Sequence, residues 1–203
     1  YDETIKTLNE IEMHIDTDQL YKILDINILK ILSYIETNNY KKALEILELT
    51  KNLIKDTDEE ITVLLNTIQL KISCLKNNKK VVKQAIDRLD LYIENLKYDQ
   101  TYTSDISLNM AFAYNYLGTV QKAKEYIDIG IEHSIQNKDI EAFKEMFEFI
   151  MSYNNVYIGS IERVLEKPSI SSSLISSKYA IKLMKFFQIN NRSDLIQNML
   201  SSY

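Results

Sequence analysis

Four stretches of the chain decide its fold: Tyr1-Asp-Glu-Thr4-Ile-Lys-Thr-Leu8, Asn39-Tyr40-Lys-Lys-Ala43-Leu-Glu-Ile-Leu47, Asn78-Lys-Lys-Val-Val82-Lys-Gln-Ala-Ile86 and Gly118-Thr-Val120-Gln-Lys-Ala123-Lys-Glu-Tyr-Ile127. In the first, second and fourth copies two polar residues lead directly to a key residue, whereas in the third Val81 stands between Lys79-Lys80 and the key residue; apolar residues follow in all four. The key position falls at Thr4, Ala43, Val82 and Ala123, at spacings of 39, 39 and 41 residues. A fixed period of this size predicts a helical solenoid, in which each unit buries its apolar face only by stacking on the next. The first copy is cut into by Tyr1, so the sequence is expected to continue a longer protein.

Composition agrees with an all-α chain. The 203 residues include only three glycines and one proline, the two residues least tolerated inside helices, and 45% are hydrophobic. Net charge is −5, and the arginines are three: Arg88, Arg163 and Arg192. This balance argues against direct nucleic-acid binding, because phosphate contacts need clustered cations. The single cysteine, Cys74, rules out an internal disulfide and fits a reducing, cytoplasmic setting. No apolar run of membrane-spanning length occurs, so no membrane partner is expected.

Apolar periodicity and turn residues predict eleven helices, over about 2–15, 18–36, 40–55, 58–76, 79–97, 104–117, 119–136, 139–153, 157–166, 174–189 and 193–202. Asn38-Asn39, Asn77-Asn78, Gly118, Asn137-Lys138 and Asn190-Asn191 read as the turns, since asparagine and glycine accept left-handed backbone. Thr103-Ser104-Asp105 reads as a helix cap. Composition marks no second domain, so residues 1–203 read as one repeat domain.

Within each pair the small residue lets two helices approach closely, and Tyr34 and Tyr114 each precede it by nine. This pattern resembles the tetratricopeptide repeat. The period exceeds that family's usual length of about 34 residues and could suit a HEAT-like array, but Asn39-Tyr40-x-x-Ala43 and Gly118-x-x-x-x-Ala123 sit at the tetratricopeptide turn. Elongated, degenerate repeats of this kind resemble the intracellular peptide-pheromone receptors of Gram-positive bacteria (the Rap, Rgg and PlcR group) and the related phage arbitrium receptors. The residues that carry the likeness run from Gly118 to Asn155, with Ala180, Phe186-Phe187 and Asn190-Asn191 of the last hairpin. The resemblance implies a right-handed superhelical solenoid that binds a short signalling peptide on its concave face and regulates transcription. It also implies DNA contact only through a helix-turn-helix domain, which would precede Tyr1. A homodimer through the C-terminal hairpin is expected, with Leu183, Phe186, Phe187, Leu195 and Met199 exposed.

Helical geometry selects the candidate site. In the helix at 104–117, Ile106, Met110, Ala113, Tyr114 and Leu117 form a packing stripe, and Asp105, Asn109, Phe112 and Tyr116 form a second. An acid, an amide and two aromatics suit an extended peptide, whose amides pair with asparagine and whose side chains lie on rings. The corresponding register in neighbouring first helices gives Asp25, Leu29, Leu32 and Glu36; Leu64, Ile68, Lys71 and Leu75; Phe143, Phe147, Ile150 and Asn154; and Ser177, Ile181, Met184 and Gln188. Asn115 and Tyr153 flank the stripe. The expected peptide-binding set is Asp105, Asn109, Phe112, Asn115, Tyr116, Lys71, Phe147, Tyr153 and Asn154. A carboxylate clamp is disfavoured, because its Lys and Asn positions fall on residues such as Ile28, Leu32, Thr67, Leu108 and Phe112.

No catalytic constellation is legible, and neither a cofactor nor a metal is expected. His14 and His133 stand far apart and read as surface or hairpin residues, and Cys74 reads as a buried thiol. A tetratricopeptide scaffold for a folded protein partner is the alternative to a peptide sensor.

Overall fold

The computed structural model describes residues 2–14, 19–54, 59–95, 101–153, 157–165 and 178–201. Among these the chain is all helical, with eleven helices: α1 (Asp2–Glu12), α2 (Leu20–Glu36), α3 (Tyr40–Ile54), α4 (Glu59–Leu75), α5 (Lys79–Asn95), α6 (Thr103–Leu117), α7 (Val120–Gln136), α8 (Ile140–Ser152), α9 (Ile158–Leu165), α10 (Lys178–Ile189) and α11 (Ser193–Ser201). Every predicted helix is present. The sequence also predicts a cap at Asp56-Thr57-Asp58, a break at Asn154-Asn155 and a helix stop at Pro168; all three lie outside the described residues.

The helices fall into two compact units, residues 1–96 and 97–203. In the first, α2 pairs with α3 and α4 with α5, while α1 lies on α2 and α3 on α4. Ile31, Leu47, Leu65 and Ile68 form its centre, each at most 2% exposed. Lys30 is buried as well, and its Nζ meets Glu12 of α1 at 2.6 Å. In the second unit α6 pairs with α7, α8 packs on both, α9 packs on α7, and α10 pairs with α11. Met110, Ile127, Phe147 and Phe187 are among its most enclosed side chains.

The repeat signature has a structural meaning at three of its four copies. Ala43, Val82 and Ala123 are fully buried (0% exposed), where the second helix of a pair crosses the first. Thr4 departs from this: it is exposed, and α1 meets α2 through Ile5 and Leu8 instead.

The turns are the most regular element. One residue in each adopts positive φ: Asn38 (56°), Asn77 (57°), Gly118 (82°), Lys138 (56°) and Asn191 (56°). Around each, the next residue's N–H reaches back five residues, as in Asn39 N to Tyr34 O (2.8 Å), Thr119 N to Tyr114 O (2.9 Å) and Arg192 N to Phe187 O (2.8 Å). The left-handed residue itself donates three residues back, as Asn38 does to Ile35 O (2.9 Å). This double bond is the Schellman termination, which satisfies carbonyls a helix end would otherwise leave bare. The residue after the turn then opens the next helix: its carbonyl accepts from Ala43, Val82, Ala123 or Phe143 at 3.0–3.1 Å. Side chains reinforce three of these starts, Asp139 Oδ1 accepting from Ala142 N at 3.0 Å and Asn39 and Asn78 doing the same less closely.

The C-terminal pair corrects one expectation. Leu183, Phe186, Phe187, Leu195 and Met199 are buried (0–7% exposed), on the two helices α10 and α11 that pair with each other. The exposed apolar residues there are Ile181, Ile189 and Leu200.

Candidate functional site

The second unit gathers five side chains from α6, α8 and the segment entering α9. Phe112 and Asn115 lie one turn apart on α6. Phe149 lies on α8, Tyr153 caps its end, and Tyr157 precedes α9. The spacing of four residues from Phe149 to Tyr153 to Tyr157 builds an aromatic ladder. Ring centroids lie 4.8 Å apart for Phe149–Tyr153, 5.9 Å for Phe149–Tyr157 and 6.2 Å, edge to face, for Tyr153–Tyr157. Phe112 joins Phe149 at 6.4 Å. These tilted geometries are the favoured ones for aromatic quadrupoles.

One hydrogen bond fixes the polar end of the cluster. The Tyr157 hydroxyl donates to Asn115 Oδ1 at 2.8 Å. Tyr157 is fully buried, and that burial, aided by neighbouring Tyr153, pushes its phenol up to about 12. It therefore stays a neutral donor. With its oxygen engaged, the half-buried Asn115 retains its amide N–H groups as donors. Phe112, Asn115 and Tyr153 are half-buried and form the accessible rim, while Tyr157 and Phe149 form the floor. The site carries no charged side chain. It offers ring faces to apolar groups and an oriented amide to a carbonyl.

Three of the nine sequence-predicted residues, Phe112, Asn115 and Tyr153, thus meet. Asn109, one turn earlier on α6, is buried (6% exposed), Tyr116 is half-buried and Asp105 is exposed. Phe147 is enclosed in the core and stacks with Phe143 at 6.1 Å, so its ring serves packing. Leu64, Ile68 and Ile150, expected on the same groove, are buried too. Lys71 belongs to the first unit, half-buried on α4, and Asn154 lies outside the described residues. Sequence reasoning missed Phe149 and Tyr157. The i, i+4 relation of Phe149 to Tyr153 was the available signal for the first, whereas Tyr157 follows the predicted break at Asn154-Asn155, across which helical spacing gives none.

Elsewhere in the second unit, α6 and α7 share a buried polar network that sequence reading also missed. His133, expected as a surface or hairpin residue, lies in the last turn before a hairpin but is 7% exposed, and its Nδ1 lies 2.9 Å from Ser104 Oγ. Asn137 Nδ2 donates to the His133 carbonyl (3.2 Å), which orients the amide and makes the same nitrogen a donor to His133 Nε2 (2.9 Å). Nε2 is therefore the acceptor, and Nδ1 carries the proton. The chain of donors runs from Nδ1–H to Ser104 Oγ (2.9 Å), to Ser134 Oγ (3.0 Å), and to the Gly130 carbonyl (2.7 Å). A nucleophilic serine needs a histidine nitrogen that accepts its proton. Here the facing nitrogen donates, and both residues are buried, so the arrangement serves to register α6 against α7. Ser104 is consequently drawn inward from its expected capping role, and α6 begins at Thr103.

Gly130 lies at the same crossing. A Cβ there would fall 2.0 Å from Met146 Cε and 3.1 Å from Ser107 Cβ, so a side chain at this position would displace the Met146 methyl and press on Ser107 of α6. Burial raises the Cys74 thiol to about 12, consistent with an inert core thiol. Among the described residues no group of His, Cys, Asp and Glu has a metal-binding arrangement, and no helix is long and apolar enough to cross a membrane. Neither a protein-family model nor a curated protein nor a solved structure matches the chain.

Proposed function

We propose that the chain is a peptide-sensing domain, built of tetratricopeptide-like hairpins, that binds a short apolar peptide through the second unit. The observation that carries this reading is the uncharged aromatic rim around an Asn115 amide whose acceptor oxygen is already engaged by Tyr157. Peptides present what that rim lacks: carbonyl oxygens along a backbone, with apolar side chains beside them. The five Schellman turns and the buried Ala43, Val82 and Ala123 support the repeat reading. In the resembled receptors such a domain regulates transcription in the cytoplasm, through DNA contacts made by an N-terminal domain and through a homodimer. A homodimer using the last hairpin would draw on Ile181, Ile189 and Leu200, since the residues first expected there are buried.

A scaffold for a folded partner is the second reading. It is favoured by a broad depression of about 990 Å3 along the outer face of α3, lined by Leu44, Leu49, Asn52 and Lys76 among others. Selection of random short peptides displayed on phage, followed by calorimetry, separates the two. The sensor reading expects peptides of ten residues or fewer whose affinity falls at least tenfold, about 1.4 kcal/mol, in Tyr153→Ala and in Asn115→Ala. Equal binding by both variants would overturn the site, and failure to enrich any short peptide would favour the scaffold.

A further inference from the structure

The first unit holds a small cleft between α4 and α5, separate from the aromatic site, with a volume of about 280 Å3. Its polar side chains are Asn66, Gln69 and Ser73, one helical stripe on α4, and Arg88 on α5. Leu70, Val81 and Leu89 supply apolar surface between them.

The hydrogen bonds these groups already make determine what they can offer. Lys51 of α3 donates to Gln69 Oε1, which leaves the Gln69 amide N–H groups as donors. Ser73 Oγ donates to the Gln69 backbone carbonyl at 3.0 Å, which leaves its lone pairs as acceptors. Arg88 is exposed and forms no ion pair with a described residue, and it is the one ionisable group among the described residues lining the cleft. The cleft therefore presents a guanidinium, amide donors, one hydroxyl acceptor and an apolar wall. A carboxylate matches the first, an acyl oxygen the second, an amide N–H the third and a branched aliphatic group the fourth.

We infer that this cleft binds the carboxylate of an N-acylated apolar amino acid, either free or as the C-terminal residue of a peptide chain. The volume lies near the lower end of small-molecule pockets, which begin at about 300 Å3, and so suits one residue rather than a long segment. The proposal is independent of the aromatic site, because no residue is shared.

N-acetyl-leucine, N-acetyl-leucinamide and the tripeptide acetyl-Ala-Ala-Leu are the probes, titrated into the isotope-labelled full chain and followed by amide chemical shifts. The expected result is saturable shifts confined to α4 and α5, at least tenfold weaker for the leucinamide and at least tenfold weaker in Arg88→Gln. Arg88 is exposed, so that variant keeps the fold, and an unchanged spectrum away from the cleft verifies it. Tighter binding of the tripeptide identifies a chain end as the ligand, and equal binding identifies the free acid. Equal affinity for acid and amide, an unaffected Arg88→Gln, or no saturable shift at millimolar probe would each overturn the inference.

Discussion

At the scale of single residues, the Tyr157 hydroxyl links stability to the candidate site. Its phenol is held up to about 12 by burial and by Tyr153, against about 10 for an ordinary tyrosine. The folded state thus holds this proton more tightly than the unfolded state does. The stabilisation is complete below pH 10, declines as pH rises from 10 towards 12, and is flat above. Urea denaturation at pH 9, 10 and 11 should show wild-type stability falling more steeply above pH 10 than that of Tyr157→Phe, by at most about 1.4 kcal/mol per pH unit. Cys74 and other tyrosines titrate in both proteins, so the difference isolates Tyr157. Parallel curves would show that the hydroxyl is not held neutral by the fold. The site was half legible at this scale. Helical register points to Phe112, with Asn115 and Tyr153 as flanking residues, whereas Phe147 occupies the same register and is core. Periodicity reports which residues share a face but not whether another helix covers it. The burial of His133 is hidden for a related reason: its partner Ser104 lies across the α6–α7 crossing, which one sequence does not display, although Asn137 is only four residues on.

At the scale of elements, the turns were the best predicted part of the molecule. Asn38, Asn77, Gly118 and Asn191 were legible because few residues accept left-handed backbone, and asparagine and glycine are the chief ones. The fifth turn breaks the rule: Lys138, not Asn137, takes the positive φ of 56°. The hydrogen bonds explain why. Asn137 follows α7 in helical conformation and holds His133 through its side chain, so the left-handed position passes to the next residue. A lysine there has a Cβ close to its carbonyl, a strain of about 1–2 kcal/mol that glycine avoids. Lys138→Gly should therefore stabilise the protein by about 1 kcal/mol, seen as a higher urea midpoint at unchanged slope. Asn38→Gly should gain less, because asparagine already tolerates the conformation. A destabilised Lys138→Gly would mean that the lysine side chain contributes more than the backbone strain removes.

At the scale of the whole molecule, the forty-residue signature was legible, whereas the division at residues 96 and 97 was not. The stretch Lys97-Tyr98-Asp99-Gln100-Thr101 has no glycine, proline or charge run to mark a boundary. Boundaries in helical repeats are set by where packing concentrates, a property of tertiary contacts rather than of local composition. Each unit carries its own enclosed residues, Ile31, Leu47, Leu65 and Ile68 in one and Met110, Ile127, Phe147 and Phe187 in the other. Each also closes its own hairpins with the same turn hydrogen bonds. Fragments 1–96 and 97–203, produced separately, should therefore each retain helical circular dichroism and unfold in a cooperative urea transition. The second fragment should also keep the Tyr157–Asn115 bond and select the same peptides as the full chain, since every described member of the aromatic site lies within it. A fragment that is unstructured alone would show that its enclosed residues do not make a self-sufficient core. A folded second fragment that no longer binds the selected peptides would place the binding residues elsewhere.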